Sequence, residues 1–176
     1  MIRRLDTRVV YANRWMTLRE DQVRFPDGSL GIYGVAEKKD CIGIVAIDDL
    51  HIHLVEQYRY ATSKRAWELP QGSWEAEDLD PEALAKRELA EETGLTAKTW
   101  KCLGTLAIAN GFLRQAMHVY LATDLTQGAH AREATESDMV HARVPLAEFE
   151  RMMTDGRVDD AETLAIWALA KLKGAV

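Results

Sequence analysis

The amino-acid sequence predicts an α+β or α/β sandwich that begins with a short antiparallel meander. Strand-like apolar runs occur along most of the chain, and only three segments carry the boundary signals of a helix. A length of 176 residues suffices for one domain with its own core, or for one domain and a small appendage. Hydrophobic residues make up 47% and charged residues 28%, as in ordinary globular proteins.

Composition excludes several classes of protein. The net charge of −6 provides no basic field for a phosphate backbone, so long nucleic acid is not expected as a partner, whereas a single nucleotide remains open. Cys41 and Cys102 lie far apart in apolar surroundings. We therefore expect both to be small core residues of a protein in a reducing compartment. The N-terminus reaches Asp6 before an apolar core forms, and the most apolar run, 41–47, is about a third of a membrane span. We therefore expect a soluble, cytoplasmic protein that does not contact membranes.

The first forty residues predict the meander. Short strands are expected at 9–11, 15–18 and 22–25, and another at 30–35. Between them, residues 26–28 (PDG) form a turn, because proline presets one backbone dihedral and glycine allows positive φ. A meander this small buries little, so we expect it to pack on its own domain or on a second copy of the chain.

A buried hairpin follows. Residues 41–47 (CIGIVAI) read as a fully buried strand, residues 48–49 as a turn, and 51–57 as the partner strand. In the partner strand, His51 and His53 share one face. They are either metal ligands or a solvent-facing pair, and base rates favour the solvent-facing pair.

Three helices are predicted from their ends. Asp80 is placed to cap the first, Pro81 occupies its first turn, and Gly94 ends it. Two more helices are predicted at 146–153 and 160–173, and two more strands at 103–109 and 115–123.

The first helix carries the candidate chemistry. Glu88 and Glu92 are four residues apart and therefore share one face, beside the apolar side formed by Leu84 and Leu89. Carboxylates at this spacing form a hard-oxygen cluster suited to Mg²⁺ or Mn²⁺, although a solvated acidic face is the alternative. Because Mg²⁺ takes further ligands from substrate phosphates, the pattern indicates diphosphate chemistry.

A longer motif contains these acids. Residues 87–95 read RELAEETGL and match every fixed position of R-E-U-x-E-E-x-G-U, the second half of the Nudix box, with Gly72 as its opening glycine. The chain thus resembles the Nudix hydrolase superfamily. Three further stretches resemble its ADP-ribose and nucleoside-diphosphate-sugar pyrophosphatase branch: 57–59 (QYR), 67–72 (WELPQG) and 156–161 (GRVDDA).

The first half of the box departs from the pattern. Gly72 and Arg87 stand one residue further apart than in the family. Glu77 or Asp78 is expected to take the place of the first box glutamate, with a one-residue bulge in the loop. In the family that acid braces the box arginine, so the departure concerns loop geometry more than activity.

The resemblance implies a fold and an organisation. It implies an α/β/α sandwich with a Nudix-like mixed β-sheet between helices. Residues 1–38 would be the N-terminal antiparallel β meander and 39–176 the catalytic domain. Relatives in this branch exchange the N-terminal region between subunits, so a homodimer is expected.

The resemblance also implies the metal ligands. Glu88 and Glu92 come first, Glu91 is a close third, and the backbone carbonyl of Gln71 is a further ligand. Arg87 would orient the helix acids by salt bridging, and its alternative is a surface ion pair with Glu91.

Further roles follow from the same likeness. Arg59 resembles the family's substrate-phosphate arginine, whose planar guanidinium matches phosphate oxygens in pairs. The general base is a glutamate on a loop after the box, for which Glu136 is the first choice and Glu133 the second. Trp67 and Phe112 are candidates to stack on a base or ribose, and each is equally well a core or dimer contact.

The implied activity is Mg²⁺- or Mn²⁺-dependent hydrolysis of an NDP-sugar or ADP-ribose to a nucleoside monophosphate and a sugar phosphate. The proline common in ADP-ribose enzymes falls on Asn110 and a following glutamate on Gln115, so the substrate is predicted only as a small nucleoside-diphosphate derivative. Three alternatives stay open. One is a Nudix hydrolase of dinucleotides, modified triphosphates or RNA 5′ ends; the others are a non-catalytic nucleotide sensor and a structural divalent-metal protein.

Overall fold

A computed structural model describes residues 1–74, 80–129 and 137–176 of the chain. The strands are β1 (Arg3–Ala12), β2 (Met16–Arg24), β3 (Leu30–Lys38), β4 (Cys41–Asp48), β5 (His51–Arg59), β6 (Lys64–Glu68), β7 (Gln71–Ser73), β8 (Leu95–Ala107), β9 (Leu113–Arg114), β10 (Ala116–Gln127) and β11 (Val140–Pro145). The helices are α1 (Pro81–Thr93), α2 (Leu146–Thr154) and α3 (Ala161–Leu172). Sheets with few helices confirm the predicted α+β class.

One compact unit consists of Met1–Asp40 and Leu106–Met117. Its sheet has the order β1-β2-β3-β9, in which β1, β2 and β3 pair antiparallel and β9 pairs parallel to β3. The predicted strands at 15–18 and 22–25 are one strand, β2, because its ladder to β3 runs without interruption. The charged residues inside it had hidden its continuity; ion pairs accommodate them in the sheet, such as those of Arg19 with Asp21 and with Glu37 of β3.

This unit buries little of its apolar surface. Strand β1 is exposed along its whole length, and Leu5, Val9 and Tyr11 are among its large exposed side chains. Val23, Ala36 and Met117 are its buried hydrophobic residues within the described chain. The expectation that the meander needs another surface agrees with this exposure.

The second unit consists of Cys41–Thr105 and His118–Val176. Its sheet has the order β11-β5-β4-β10-β8, with β6 paired to β5 and β7 paired to β4. Strand β4 is buried on both faces, as predicted. Its Ile42 and Ile44 pack with Leu84 and Leu89 of α1 in one hydrophobic cluster, and Val45 points to the opposite side of the sheet. The division into 1–38 and 39–176 stays a prediction.

The helices begin and end close to the predicted positions. The Asp80 side chain accepts a hydrogen bond from the Ala83 amide at 3.2 Å, and Gly94, at φ 72°, closes the C-terminus of α1. Helix α1 packs against β4 and β7, α2 against β5 and β11, and α3 against β4. None of the helices in the described ranges is long and apolar enough to cross a bilayer.

Four strands, β6, β7, β9 and β11, were not predicted from the sequence; the two-residue β9 is a strand only through its parallel pairing with β3. Strands β6, β7 and β11 are short and mostly polar or half-exposed, so they exist because β4 and β5 supply a ladder for them. Strand β8 begins at Leu95, directly after α1, well before the predicted start at 103. The prediction for Cys102 was wrong, because this thiol is exposed on β8, whereas Cys41 is buried as expected.

The prediction of a solvent-facing histidine pair on β5 was also wrong, because His53 is buried, whereas His51 is half-exposed. His53 is only 3% exposed, and its Nδ1 lies 2.9 Å from Nε2 of His141 on β11. Nε2 of His53 lies 3.6 Å from Asp48, whose carboxylate accepts hydrogen bonds from Arg143. Pairing of β11 with β5 buries this face, which the sequence of β5 alone does not reveal.

We expect the stability of the protein to decrease as the pH falls below about 6.5, the usual pKa of histidine. Burial lowers the pKa of His53, Arg143 and His51 lower it further, and Asp48 only partly opposes them. The unfolded chain therefore binds more protons in acid, so the contribution of His53 is complete above pH 6.5 and is lost below it. Thermal unfolding between pH 8 and 5.5 tests this. His53→Gln should flatten the dependence; equal slopes in wild type and His53→Gln would contradict the expectation.

Candidate functional site

Two carboxylates lie on the buried face of α1. Glu92 is 1% exposed and Glu88 is 9% exposed, and they share this face with Leu84 and Leu89. Oε2 of Glu92 accepts a hydrogen bond of 3.1 Å from the backbone amide of Gln71 at the start of β7. The sequence placed these acids beside the packed side of the helix; the fold places them within it.

Gly72 allows the carboxylate of Glu88 to approach the backbone of β7. A Cβ atom added at Gly72 would lie 2.5 Å from Oε1 and 2.6 Å from Oε2 of Glu88, closer than any side chain tolerates. Residue 72 is therefore glycine because the carboxylate occupies the space of its side chain. Strand β7 itself is held by pairing with β4, where Gly72 lies opposite Ile42.

Gly72→Ala should displace Glu88 from β7 and lower the affinity for Mn²⁺ by about tenfold to a hundredfold, as loss of a supporting contact at a metal site does. Overpacking should also lower the free energy of unfolding by about 1–3 kcal/mol. Gly34→Ala is the matched control, because a Cβ at Gly34 on β3 meets no atom within 4 Å. Calorimetric Mn²⁺ titration and thermal unfolding measure both effects. Wild-type Mn²⁺ affinity in Gly72→Ala would show that this close approach is dispensable.

Arg87 contacts two acids of the same helix. Its Nη2 donates to Oε1 of Glu88 at 3.1 Å, and its Nε lies 3.5 Å from Oε2 of Glu91. Glu91 is the more exposed of these partners, with 26% of its side chain accessible against 12% for Glu88. Arg87 thus joins the buried and the half-exposed acids of α1.

The donor set of the site fits a hard divalent cation. Glu88 and Glu92 supply carboxylate oxygens, and the buried Oε1 of Gln71 has no hydrogen-bond partner among the described residues. Within the described ranges no three His, Cys, Asp or Glu side chains form a ready metal-binding group. Two carboxylates suit Mg²⁺, which keeps several waters and completes its shell with substrate phosphates.

An ion pair between a half-exposed arginine and a buried glutamate lies on the neighbouring hairpin of β5 and β6. Arg59 Nε donates to Oε1 of Glu68 at 2.8 Å, and its Nη2 donates to Oε2. Burial alone lowers the pKa of Arg59, but hydrogen bonding to Glu68 and the nearby charges of Asp160 and Glu92 outweigh it, so the pKa is raised. Arg59 is therefore cationic and lies within the electrostatic reach of the α1 acids.

The remaining predicted residues are less informative. Trp67 is half-buried on β6, opposite Glu56 of β5. Phe112 belongs to the unit that contains strands β1, β2 and β3, and it is 58% exposed. Their substrate contacts stay predictions. Several candidates lie outside the described residues, namely Glu77, Asp78, Glu133 and Glu136.

Sequence reasoning missed two residues next to the site. Glu68, which is 2% exposed, lies in the stretch 67–72, but the sequence predicted no role for it. Its pairing with Arg59 depends on the β5–β6 register. The hydroxyl of Thr163, in the first turn of α3, accepts a hydrogen bond from the Leu69 amide at 3.1 Å. The available signal for Glu68 was its place in the stretch 67–72 that resembles the family, and no local signal marked Thr163.

Comparisons with known proteins identify the family of the chain. Residues 2–36 match the nucleoside diphosphate sugar hydrolase N-terminal domain, and residues 37–165 match the NUDIX domain. The ADP-ribose pyrophosphatase of Mycobacterium tuberculosis (strain ATCC 25618 / H37Rv) is 36% identical over 163 residues, covering 92% of this chain and 79% of the relative. The ADP-ribose pyrophosphatase of Bacillus subtilis (strain 168) is 28% identical over 169 residues, covering 95% of this chain and 91% of the relative.

One further relative and one solved structure are also similar to this chain. The methanol dehydrogenase activator of Bacillus methanolicus is 28% identical over 174 residues, covering 98% of this chain and 94% of the relative. A crystal structure of an ADP compounds hydrolase superposes with a TM-score of 0.85 at 23% identity, covering 99% of this chain and 95% of that chain. This last likeness concerns the fold.

The fold and the matched domains define an enzyme that hydrolyses nucleoside diphosphate compounds. The chain belongs to the Nudix family, in its ADP-ribose pyrophosphatase branch. It is a Nudix hydrolase, and members of this family use divalent metal ions. The predicted family and enzyme class are confirmed.

Proposed function

We propose that the protein hydrolyses the diphosphate linkage of ADP-ribose or a similar nucleoside-diphosphate sugar with Mg²⁺ bound at Glu88 and Glu92. The observation that carries this proposal is the burial of both carboxylates on one face of α1, against the backbone of Gln71 and Gly72. Glu91 and the backbone carbonyl of Gln71 are the further ligands that we propose. Bound Mg²⁺ would neutralise phosphate oxygens and lower the pKa of the attacking water.

The chain's own residues would hold the substrate and move one proton. Arg59 binds a diphosphate oxygen through the edge of its guanidinium that Glu68 leaves accessible. Arg87 keeps the α1 acids in place. The oxygen of water bonds to one phosphorus as the bridging P–O bond breaks, and Glu136, or else Glu133, accepts the proton of the water. The products are a nucleoside monophosphate and a sugar phosphate.

ADP-ribose is the first substrate candidate, because the 36%-identical relative is an ADP-ribose pyrophosphatase. The broader NDP-sugar class is kept, because residues 2–36 match a nucleoside diphosphate sugar hydrolase domain and Asn110 stands where ADP-ribose enzymes commonly have proline. A panel of ADP-ribose, NDP-sugars, dinucleotides, triphosphates and capped RNA, each with and without Mg²⁺, tests the proposal. Turnover of triphosphates or capped RNA alone would reject it.

We also propose a homodimer formed through the N-terminal sheet, in the cytoplasm. The exposed apolar side chains of this sheet, Leu5, Leu30 and Ile32, line one shallow groove and support a second copy as the partner. The unlinked Cys41 and Cys102 support a reducing compartment. Light scattering should give twice the chain mass; a fully active monomer would reject the dimer.

A further inference from the structure

Glu68 is a buried carboxylate that receives hydrogen bonds from three side chains. Besides Arg59, the side-chain amides of Gln71 and Gln57 donate to its Oε2, at 3.0 Å and 3.5 Å. Only 3% of the Glu68 side chain is exposed, against 40% of Arg59. The acid is thus enclosed by donors, while part of the cation still faces outward.

The register of the β5–β6 hairpin explains this convergence. Gln57 and Arg59 lie on the same face of β5, and Glu68 lies on that face of β6, opposite Val55. The position of Glu68 is secured from its other side, because the next residue, Leu69, donates its amide to Thr163 of α3. The carboxylate is therefore held by the sheet and by a helix.

The bonds to Glu68 use one edge of the guanidinium. Nε and Nη2 donate to the two carboxylate oxygens, and no bond from Nη1 is found within the described part of the chain. A guanidinium presents a second pair of N–H groups on its other edge, which matches two phosphate oxygens. Glu68 thus fixes the plane and the direction in which Arg59 meets an anion.

The same carboxylate connects Arg59 to the acids of α1. Gln71 donates its side-chain amide to Glu68 and its backbone amide to Glu92. A continuous path therefore runs from Arg59 through Glu68 and Gln71 to Glu92. We infer that Glu68 is a positioning residue that holds the phosphate-binding edge of Arg59 in register with the metal-binding face of α1; this inference rests on the proposed function for the role of Arg59.

The expected effect is large because a neutral amide cannot replace this carboxylate. In Glu68→Gln the new NH₂ group must face either Arg59 Nε or the donors at Oε2, and donor faces donor in both orientations. Loss of charge-assisted hydrogen bonds should raise the Kd for a diphosphate by about tenfold to a hundredfold. For a group that positions a binding arginine, KM should rise by the same factor while kcat changes by less than about threefold.

The test uses the full-length protein, Mn²⁺ and the non-hydrolysable diphosphate α,β-methylene-ADP, with binding measured by calorimetry. Glu56→Gln is the matched control, because Glu56 pairs with Arg65 at 2.8 Å on the other face of the same two strands. This control should keep Kd, KM and kcat within about twofold of wild type. Glu68→Gln binding as tightly as wild type would overturn the inference.

A double-mutant cycle separates positioning from a general structural role. In an Arg59→Ala background, Glu68→Gln should change Kd by less than about threefold, because Glu68 acts through Arg59. In the same background, Glu68→Gln should also raise the melting temperature above that of Arg59→Ala, because Arg59→Ala alone leaves a buried carboxylate without its cation. An equal loss of affinity with and without Arg59 would overturn the inference.

If Glu68→Gln does not fold, Glu68→Asp replaces it as the test variant. The expected rise in Kd is then about threefold to tenfold, and an unchanged Kd overturns the inference.

Failure of the inference and failure of the proposed function give different results. A wild-type enzyme that hydrolyses ADP-ribose, with Glu68→Gln indistinguishable from it, overturns only the role of Glu68. A wild type that hydrolyses nothing in the panel but binds α,β-methylene-ADP in a Glu68-dependent manner overturns only the proposed reaction. Absence of both binding and turnover in the wild type overturns both.

Discussion

Glu92→Gln should reduce metal-dependent hydrolysis by about 10³-fold or more, because metal ions contribute several kcal/mol of charge stabilisation in such reactions. The substitution removes one negative charge from the buried face of α1. It keeps an oxygen that can accept the 3.1 Å hydrogen bond from the Gln71 amide, so the fold should survive. Steady-state rates over a range of Mg²⁺ concentrations, with thermal unfolding as a check of folding, measure the effect.

Glu82→Gln is the matched control for this prediction. Glu82 lies on the same helix, but it is exposed and pairs with Lys86 at 2.6 Å. Its replacement should leave the rate within about twofold of wild type, because exposed ion pairs contribute about 0–1 kcal/mol and Glu82 has no role in the proposed site. Full activity of Glu92→Gln, with unchanged Mg²⁺ dependence, would remove Glu92 from the metal site.

Glu136→Gln should lower kcat by about 10²–10⁴-fold, the usual contribution of a general base, with substrate binding nearly unchanged. The acidic limb of the pH–rate profile should disappear with it, because an amide does not titrate. Glu133→Gln is the competing variant, and a larger loss there would move the assignment to Glu133. Both acids lie outside the described residues, so kinetics is the direct way to choose between them.

Asp138→Asn is the control for the base. Asp138 is the next acid along the chain after Glu136, and it binds Arg65 at 2.8 Å. Its loss should affect kcat by less than about threefold. Equal, small effects of the three substitutions would place the proton acceptor elsewhere.

Local signals determined the elements that were predicted well. The Asp80 cap, Pro81 in the first turn and Gly94 at the end of α1 act over a few residues, so they can be read without knowledge of the fold. The apolar run of β4 likewise predicts a strand that is buried on both faces. Continuity of β2 and the existence of β6, β7 and β11 could not be read in this way, because a neighbouring ladder stabilises these strands.

The family and the three box acids Glu88, Glu91 and Glu92 on one helix could be predicted from the sequence, because spacing along a helix is a local property. Three other features became visible in the folded chain: Glu88 fills the space beside Gly72, Glu68 binds Arg59, and His53 is buried. Each of these contacts joins residues on different strands or helices. Strand register and packing set their distance, and the pattern of any one segment does not contain that information.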